Sequence, residues 1–192
     1  MSADVPQRPQ VAVFLAVSLD GFIAGPGGAL DWLTPYQGGA GGDDYGYAEF
    51  AAGIDAIVMG RRTYDVARGF TPWPYAGQPM VVLTRRPLPP DHAAAHGLRT
   101  HAGTLAALWP VLAAGGARRV YLDGGGAIRQ GLREGCVDEL TLSVIPCVLG
   151  DGVPLFGEAL PSSQWTLLHS RAASRGVVQS TYRRMPGAAA VR

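Results

Sequence analysis

A chain of 192 residues with 16 basic and 15 acidic side chains has a formal net charge of +1, and all 16 basic residues are Arg. Without Lys, Schiff-base catalysis, amine-anchored pyridoxal phosphate and P-loop phosphate binding are excluded, and without Asn there is no N-glycosylation acceptor. Arginines scattered among acids argue against a nucleic-acid surface, two cysteines against a disulfide framework or a Cys-rich zinc site, and short apolar runs against a membrane span.

The length and the 47% hydrophobic content suit one domain over 11–184 with a substantial core. Residues 1–10 are polar and read as an extended or disordered start rather than a signal peptide, which makes a cytoplasmic protein the expectation. An apolar strand is predicted over 11–18. Residues 19–46 then form a long Gly-rich loop holding Trp32, and a loop of that length is a lid candidate. Asp43 or Asp44 is suited to cap a short helix to about residue 52, followed by a strand over 54–59 and a helix over 61–67.

A strand over 79–84 follows a Trp-Pro-Tyr-Ala-Gly turn. His92 and His96 stand four apart but lie in a Pro-rich segment that reads as loop, so no metal site is expected. A helix over 104–114, a strand over 119–122, a helix over 128–133 and a strand over 139–146 complete the alternation. Strands over 165–169 and 177–184, joined through Ser174, Arg175 and Gly176, form an antiparallel closing pair, and 185–192 is a tail. The pattern is that of an α/β protein: a mixed, mostly parallel central sheet flanked by helices, with an antiparallel C-terminal hairpin.

Open α/β sheets bind ligands at the carboxyl ends of their strands, and three predicted loops stand there. Gly60 turns the chain out of a strand into a helix that begins Arg61, Arg62, Thr63; two guanidinium groups and a hydroxyl suit phosphate, or alternatively a solvated turn. Thr84 and Arg85 end the next strand in the same way. Gly124, Gly125 and Gly126 are delivered by a strand into a helix beginning with Ala127 and Ile128, where pyrophosphate could lie against bare backbone. The contiguous triplet, late in the chain, is not the spaced glycine fingerprint of the doubly wound fold. Together the three loops point to an extended, phosphorylated cofactor.

Ser18-Leu19-Asp20-Gly21-Phe22-Ile23-Ala24, Met59-Gly60-Arg61-Arg62-Thr63-Tyr64, Asp123-Gly124-Gly125-Gly126, Val137-Asp138-Glu139-Leu140 and Leu149-Gly150-Asp151-Gly152-Val153-Pro154, in this order and spacing, resemble the dihydrofolate reductase-like family. The branch they resemble is related to the riboflavin biosynthesis reductase (C-terminal) domain, and the likeness spans about residues 11–184. It implies NADPH. Ala16 and Ile23 match positions beside the nicotinamide, Gly60 to Thr63 the phosphate turn, Thr84 and Arg85 the neighbourhood of the 2′-phosphate, and Gly124 to Ile128 the turn under the pyrophosphate. Trp32 matches a substrate-side position of the mobile loop.

For the proton the resemblance offers two carboxylates. Asp44 falls where dihydrofolate reductases hold their acid, with Ser143 in place of the supporting Thr, although an insertion over 36–42 separates it from Trp32; helix capping is its other reading. Asp123 stands where the riboflavin branch commonly has Glu, and anchoring of the next helix is its alternative. The implied activity is NADPH-dependent hydride transfer to a C=N or C=O group of a small heterocycle. A non-catalytic NADPH-binding sensor, or a specific 5-amino-6-(5-phosphoribosylamino)uracil reductase or dihydrofolate reductase, are the alternatives. A homodimer is expected as a possibility, with no nucleic-acid or membrane partner.

Overall fold

A computed structural model of the chain describes residues 8–37, 42–157 and 159–185. The start of the expected free N-terminus, the tail beyond 185 and residues 38–41 of the insertion lie outside the described residues. In chain order the regular elements are β1 (Gln10–Ser18), β2 (Phe22–Ala24), α1 (Tyr47–Ala52), β3 (Ala56–Gly60), α2 (Arg61–Ala67), β4 (Met80–Leu83), α3 (Pro90–Ala95) and β5 (Arg99–His101). They continue with α4 (Leu105–Ala114), β6 (Arg119–Asp123), α5 (Gly125–Arg133), β7 (Glu139–Ile145), β8 (Val153–Pro154), β9 (Trp165–Ala172) and β10 (Val178–Arg184). They divide into two compact units, Met1–Ala12 with Ile54–Cys136, and Val13–Gly53 with Val137–Arg192.

In the first unit the strand order is β5-β4-β3-β6-β1, every pairing parallel. Parallel strands need crossovers, and α2, α3, α4 and α5 follow their strands in turn. The strands are apolar runs buried on both faces, as such sheets require: Val58, Met59, Val82, Val120 and Leu122 are wholly buried. On α4, Leu105, Leu108, Trp109 and Leu112 are buried at helical spacing, each contributing about 1.5–3 kcal/mol, and Thr104 caps the first turn by accepting from the Ala107 N–H at 3.2 Å.

Register brings the loops expected to meet a ligand to one edge. Met59 pairs with Asp123 and Gly60 with Leu83, so the chain leaves β3, β4 and β6 side by side. The Pro-rich segment expected to be loop is instead α3 and the unexpected edge strand β5. Pro90 sits in the first turn, where its missing N–H costs nothing, and Asp91 follows at the positive end. Helix α5 likewise starts earlier than expected, at Gly125, because an N-terminal turn tolerates glycine that a helix interior does not.

In the second unit the order is β1-β7-β10-β9, with β7, β10 and β9 antiparallel as expected for the closing pair. Strand β9 is the edge and is largely exposed, including Leu167 and Leu168. The long loop over 19–46 is not featureless: it holds β2 and two 3₁₀ turns, Pro26–Gly28 and Asp31–Tyr36. Strand β2 pairs antiparallel with β8, and the Asp20 carboxylate ties the same turn to the loop after β7 by accepting from the N–H groups of Leu149 and Gly150. Phe14 on β1 packs its ring against those of Tyr47 and Phe50 on α1. The result is an α/β fold with mostly parallel strands, flanking helices and antiparallel C-terminal strands.

Candidate phosphate cradle and acid site

The exit from β6 is built around Gly124. Its φ of 89° and ψ of 135° suit glycine alone, and a Cβ there would run into the Thr63 hydroxyl oxygen and lie 2.9 Å from Thr63 Cβ. Helix α2 therefore rests directly on the glycine turn. A Cβ on Gly60, where β3 ends, would touch the Ala127 N and Cβ at 3.8 and 3.9 Å, so the two strand exits and the first turn of α5 are in van der Waals contact. The N-cap of α5 is Gly124 and offers no side-chain acceptor, which leaves the first N–H groups without the partner that a Ser or Asp cap would give. A Cβ on Gly126 would meet nothing within 4 Å, so no internal packing requires glycine there. Bare backbone, open space and uncapped donors together make a cradle for an anion.

The arginines divide by geometry. Arg61 donates from Nε to both carboxylate oxygens of Asp65 at 3.0 Å and from Nη1 to the carbonyls of Arg86 and Pro87 at 3.3 and 3.0 Å. It thereby latches α2 to the loop after β4. In that loop the Thr84 hydroxyl accepts from the Arg86 N–H and donates to the Arg86 carbonyl, both at 3.0 Å, closing the turn that presents the exposed Arg85. Arg62 is exposed at the start of α2. Arg61 is thus a builder of the loop that carries Arg85.

Beside the cradle, Asp123 accepts the Tyr75 hydroxyl on Oδ2 at 2.7 Å. Desolvation pushes its carboxyl above the ordinary carboxylate value of 3.8, against the opposing effect of hydrogen bonds from Tyr75, Tyr121 and the Gly124 N–H. Tyr75 comes from a segment pinned by Trp73, whose ring packs edge-on against Tyr64 and His92 and at a tilt against His96. His92 and His96 do share a helix face, but they pack against one another and His92 Nδ1 lies 3.1 Å from the Tyr64 hydroxyl. Neither Tyr75 nor Trp73 emerges from the sequence as a site residue; two aromatics within a Pro- and Gly-rich turn were the available signal.

The second unit holds the other expected site residues. Ala16 on β1 and Ile23 on β2 are half-buried, and Trp32 lies in the 3₁₀ turn with its buried Nε1 lacking an acceptor among the described residues. Asp44 is exposed and caps the start of α1: Oδ2 accepts from the Ala48 N–H and Oδ1 from the Gly46 N–H, both at 2.8 Å. Those bonds, Ala48 first, hold its carboxyl below the ordinary range. Ser143 is buried and accepts from Gln179 Nε2 at 2.9 Å, while the same amide donates to the Tyr45 carbonyl and receives Arg171 on its oxygen. Gln179, unremarked in the sequence, thus joins Ser143 to the backbone next to Asp44 rather than to its carboxylate.

The parallel α/β unit, with its loops at one strand edge, and the unit of antiparallel C-terminal strands are those of a dihydrofolate reductase-like fold. The chain belongs to the RibD C-terminal domain family, whose model matches residues 9–179. It is similar to YwjB of Bacillus subtilis, at 32% identity over 150 residues covering 78% of this chain and 83% of that protein. It is also similar to the riboflavin biosynthesis protein RibD of Corynebacterium ammoniagenes, at 29% identity over 169 residues, 82% of this chain but 49% of RibD. Among solved structures, a candidate riboflavin biosynthesis protein from Shewanella sp. PV-4 superposes with a TM-score of 0.84 at 34% identity, covering 92% of this chain and 99% of that one. Among the described residues no helix is long and apolar enough to cross a membrane.

Proposed function

We propose that the chain is an NADPH-dependent oxidoreductase that transfers a hydride to a C=N or C=O group of a small heterocycle of pterin or pyrimidine type. The observation that carries the reading is the Gly124 turn, where positive φ, an uncapped helix start and the open space over Gly126 coincide. Gly124, Gly125, Gly126, Ala127 and Ile128 would hold the pyrophosphate through backbone N–H groups, with Gly60, Arg62 and Thr63 alongside. Thr84 and Arg85 would take the 2′-phosphate, a planar guanidinium being matched to it in charge and geometry.

When bound, NADPH supplies the hydride, and the reduced substrate then needs one proton. Asp123 and Asp44 have carboxyls pushed in opposite directions, up for Asp123 and down for Asp44. In this reading Asp123 is the proton source, and Asp44, which accepts the Gly46 and Ala48 N–H groups, is a helix cap.

The test is a fluorescence titration with NADPH and NADH. The intact protein should prefer NADPH, and Arg85→Ala should weaken NADPH by roughly 10–100-fold with little change for NADH, the loss of one charge-assisted contact. Equal affinity for the two cofactors, or equal weakening, defeats the assignment. Transfer of deuterium from labelled NADPH to a pterin, pyrimidine or flavin precursor separates an enzyme from a pure sensor.

A further inference from the structure

We infer that Tyr75 is the positioning residue of the acid: its phenol holds Oδ2 of Asp123 and so fixes the orientation in which the carboxyl meets its proton. The inference rests on the reading of Asp123 as the proton source and goes beyond it by assigning a second residue. A neutral carboxyl has one carbonyl-like oxygen and one hydroxyl. The Tyr75 hydroxyl donates to Oδ2 at 2.7 Å, so Oδ2 is held as an acceptor and the plane of the carboxyl is set by the phenol.

The groups that face Asp123 come from four elements. Tyr75 reaches it from the 69–79 segment, Tyr121 from β6 itself, the Gly124 N–H from the start of α5, and Met59, in register on β3, adds no charge. All three polar neighbours donate, so they favour the ionised form, while the dense surroundings favour the neutral one. Tyr75 is therefore a brake on the upward shift as well as an orienting group. It can act so because its segment is anchored independently of the acid: Trp73 lies 5.3 Å from the Tyr75 ring and 4.9, 5.3 and 6.3 Å from His92, His96 and Tyr64, centroid to centroid. The phenol is thus held by the ring packing of its own segment as well as by the carboxyl.

The experiment is a carbon-13 NMR titration of Asp-carboxyl-labelled protein without cofactor, with the Asp123 signal assigned by its loss in Asp123→Asn. In Tyr75→Phe the midpoint of Asp123 should move up by about one pH unit, the consequence of removing one donor to the ionised form. Tyr64→Phe, which removes a phenol of the same aromatic cluster that bonds His92 instead, should leave that midpoint in place. In turnover with NADPH, the alkaline limb of kcat should shift upward in Tyr75→Phe by the same amount with KM for NADPH unchanged.

An unmoved or lowered midpoint in Tyr75→Phe overturns the inference, as does an equal shift in Tyr64→Phe. The NMR arm needs no cofactor, so a protein that fails to bind NADPH but shows the shift retains Tyr75 as the setter of Asp123 and loses only the reductase reading. A protein that turns over NADPH with no shift loses only this inference.

Discussion

Gly124→Ala tests the contact on which the cradle depends. The substitution has two separable costs. At φ 89° and ψ 135° an L side chain is strained by about 1–3 kcal/mol. The new methyl also enters the Thr63 side chain, where the hydroxyl oxygen overlaps it and Cβ lies 2.9 Å away, an overpacking of about 1–3 kcal/mol. The single variant should lose about 2–6 kcal/mol in urea denaturation, a fall in Tm of about 5–20 °C for a chain of this length.

Thr63→Ala removes the oxygen that clashes and should be nearly neutral by itself, since alanine favours the helix. Combined with Gly124→Ala it should restore part of the steric component while leaving the backbone component, giving a coupling of about 1–3 kcal/mol in a double-mutant cycle. Absence of any such recovery, or a Gly124→Ala protein as stable as the parent, would refute the packing of α2 on the glycine turn. NADPH affinity should fall in the double variant too, because the backbone there no longer lies bare.

Two further outcomes follow from the second unit. The Ser18 hydroxyl, with the Gly150 and Leu149 N–H groups, brings the Asp20 carboxyl from 3.8 down to about 2. Its contribution to stability is present above the unfolded value and lost as pH falls from about 3.8 through about 2. Asp20→Asn should be less stable at neutral pH and flatter across that window in urea titrations; curves running parallel to the parent would contradict the clamp. Gly152→Ala places a Cβ on the Ala24 carbonyl oxygen at φ 151°, with the Ala24 carbonyl carbon and Gly25 Cα at 3.1 Å, all backbone that cannot step aside. It should cost about 2–4 kcal/mol and speed amide exchange in β2 and β8; a parental melting curve would rule the contact out.

The features legible in sequence are those decided within a few residues. An apolar run ending in Gly60 and Arg61 marks the exit of β3, one ending in Asp123 and three glycines marks that of β6, and the 3–4 spacing of Leu105, Leu108, Trp109 and Leu112 marks α4 without any knowledge of neighbours. Helix α3 was illegible because Pro89 and Pro90 signal a break and a helix start alike, and only the surrounding packing chooses between them.

The site divides in the same way. The absence of Lys already determines, from the chain alone, that no ammonium side chain meets a phosphate, and the glycine run Gly124 to Gly126 offers bare backbone beside the arginines. Which arginines stand exposed at these strand ends is decided by the fold, which ties Arg61 to Asp65, Arg86 and Pro87 and leaves Arg62 and Arg85 exposed. The two candidate acids are both simply aspartates in the sequence. Tertiary structure separates them, since a pKa records solvent and partners: Asp44 meets backbone N–H groups at the surface, whereas Asp123 is desolvated beside a tyrosine 48 residues away in the chain.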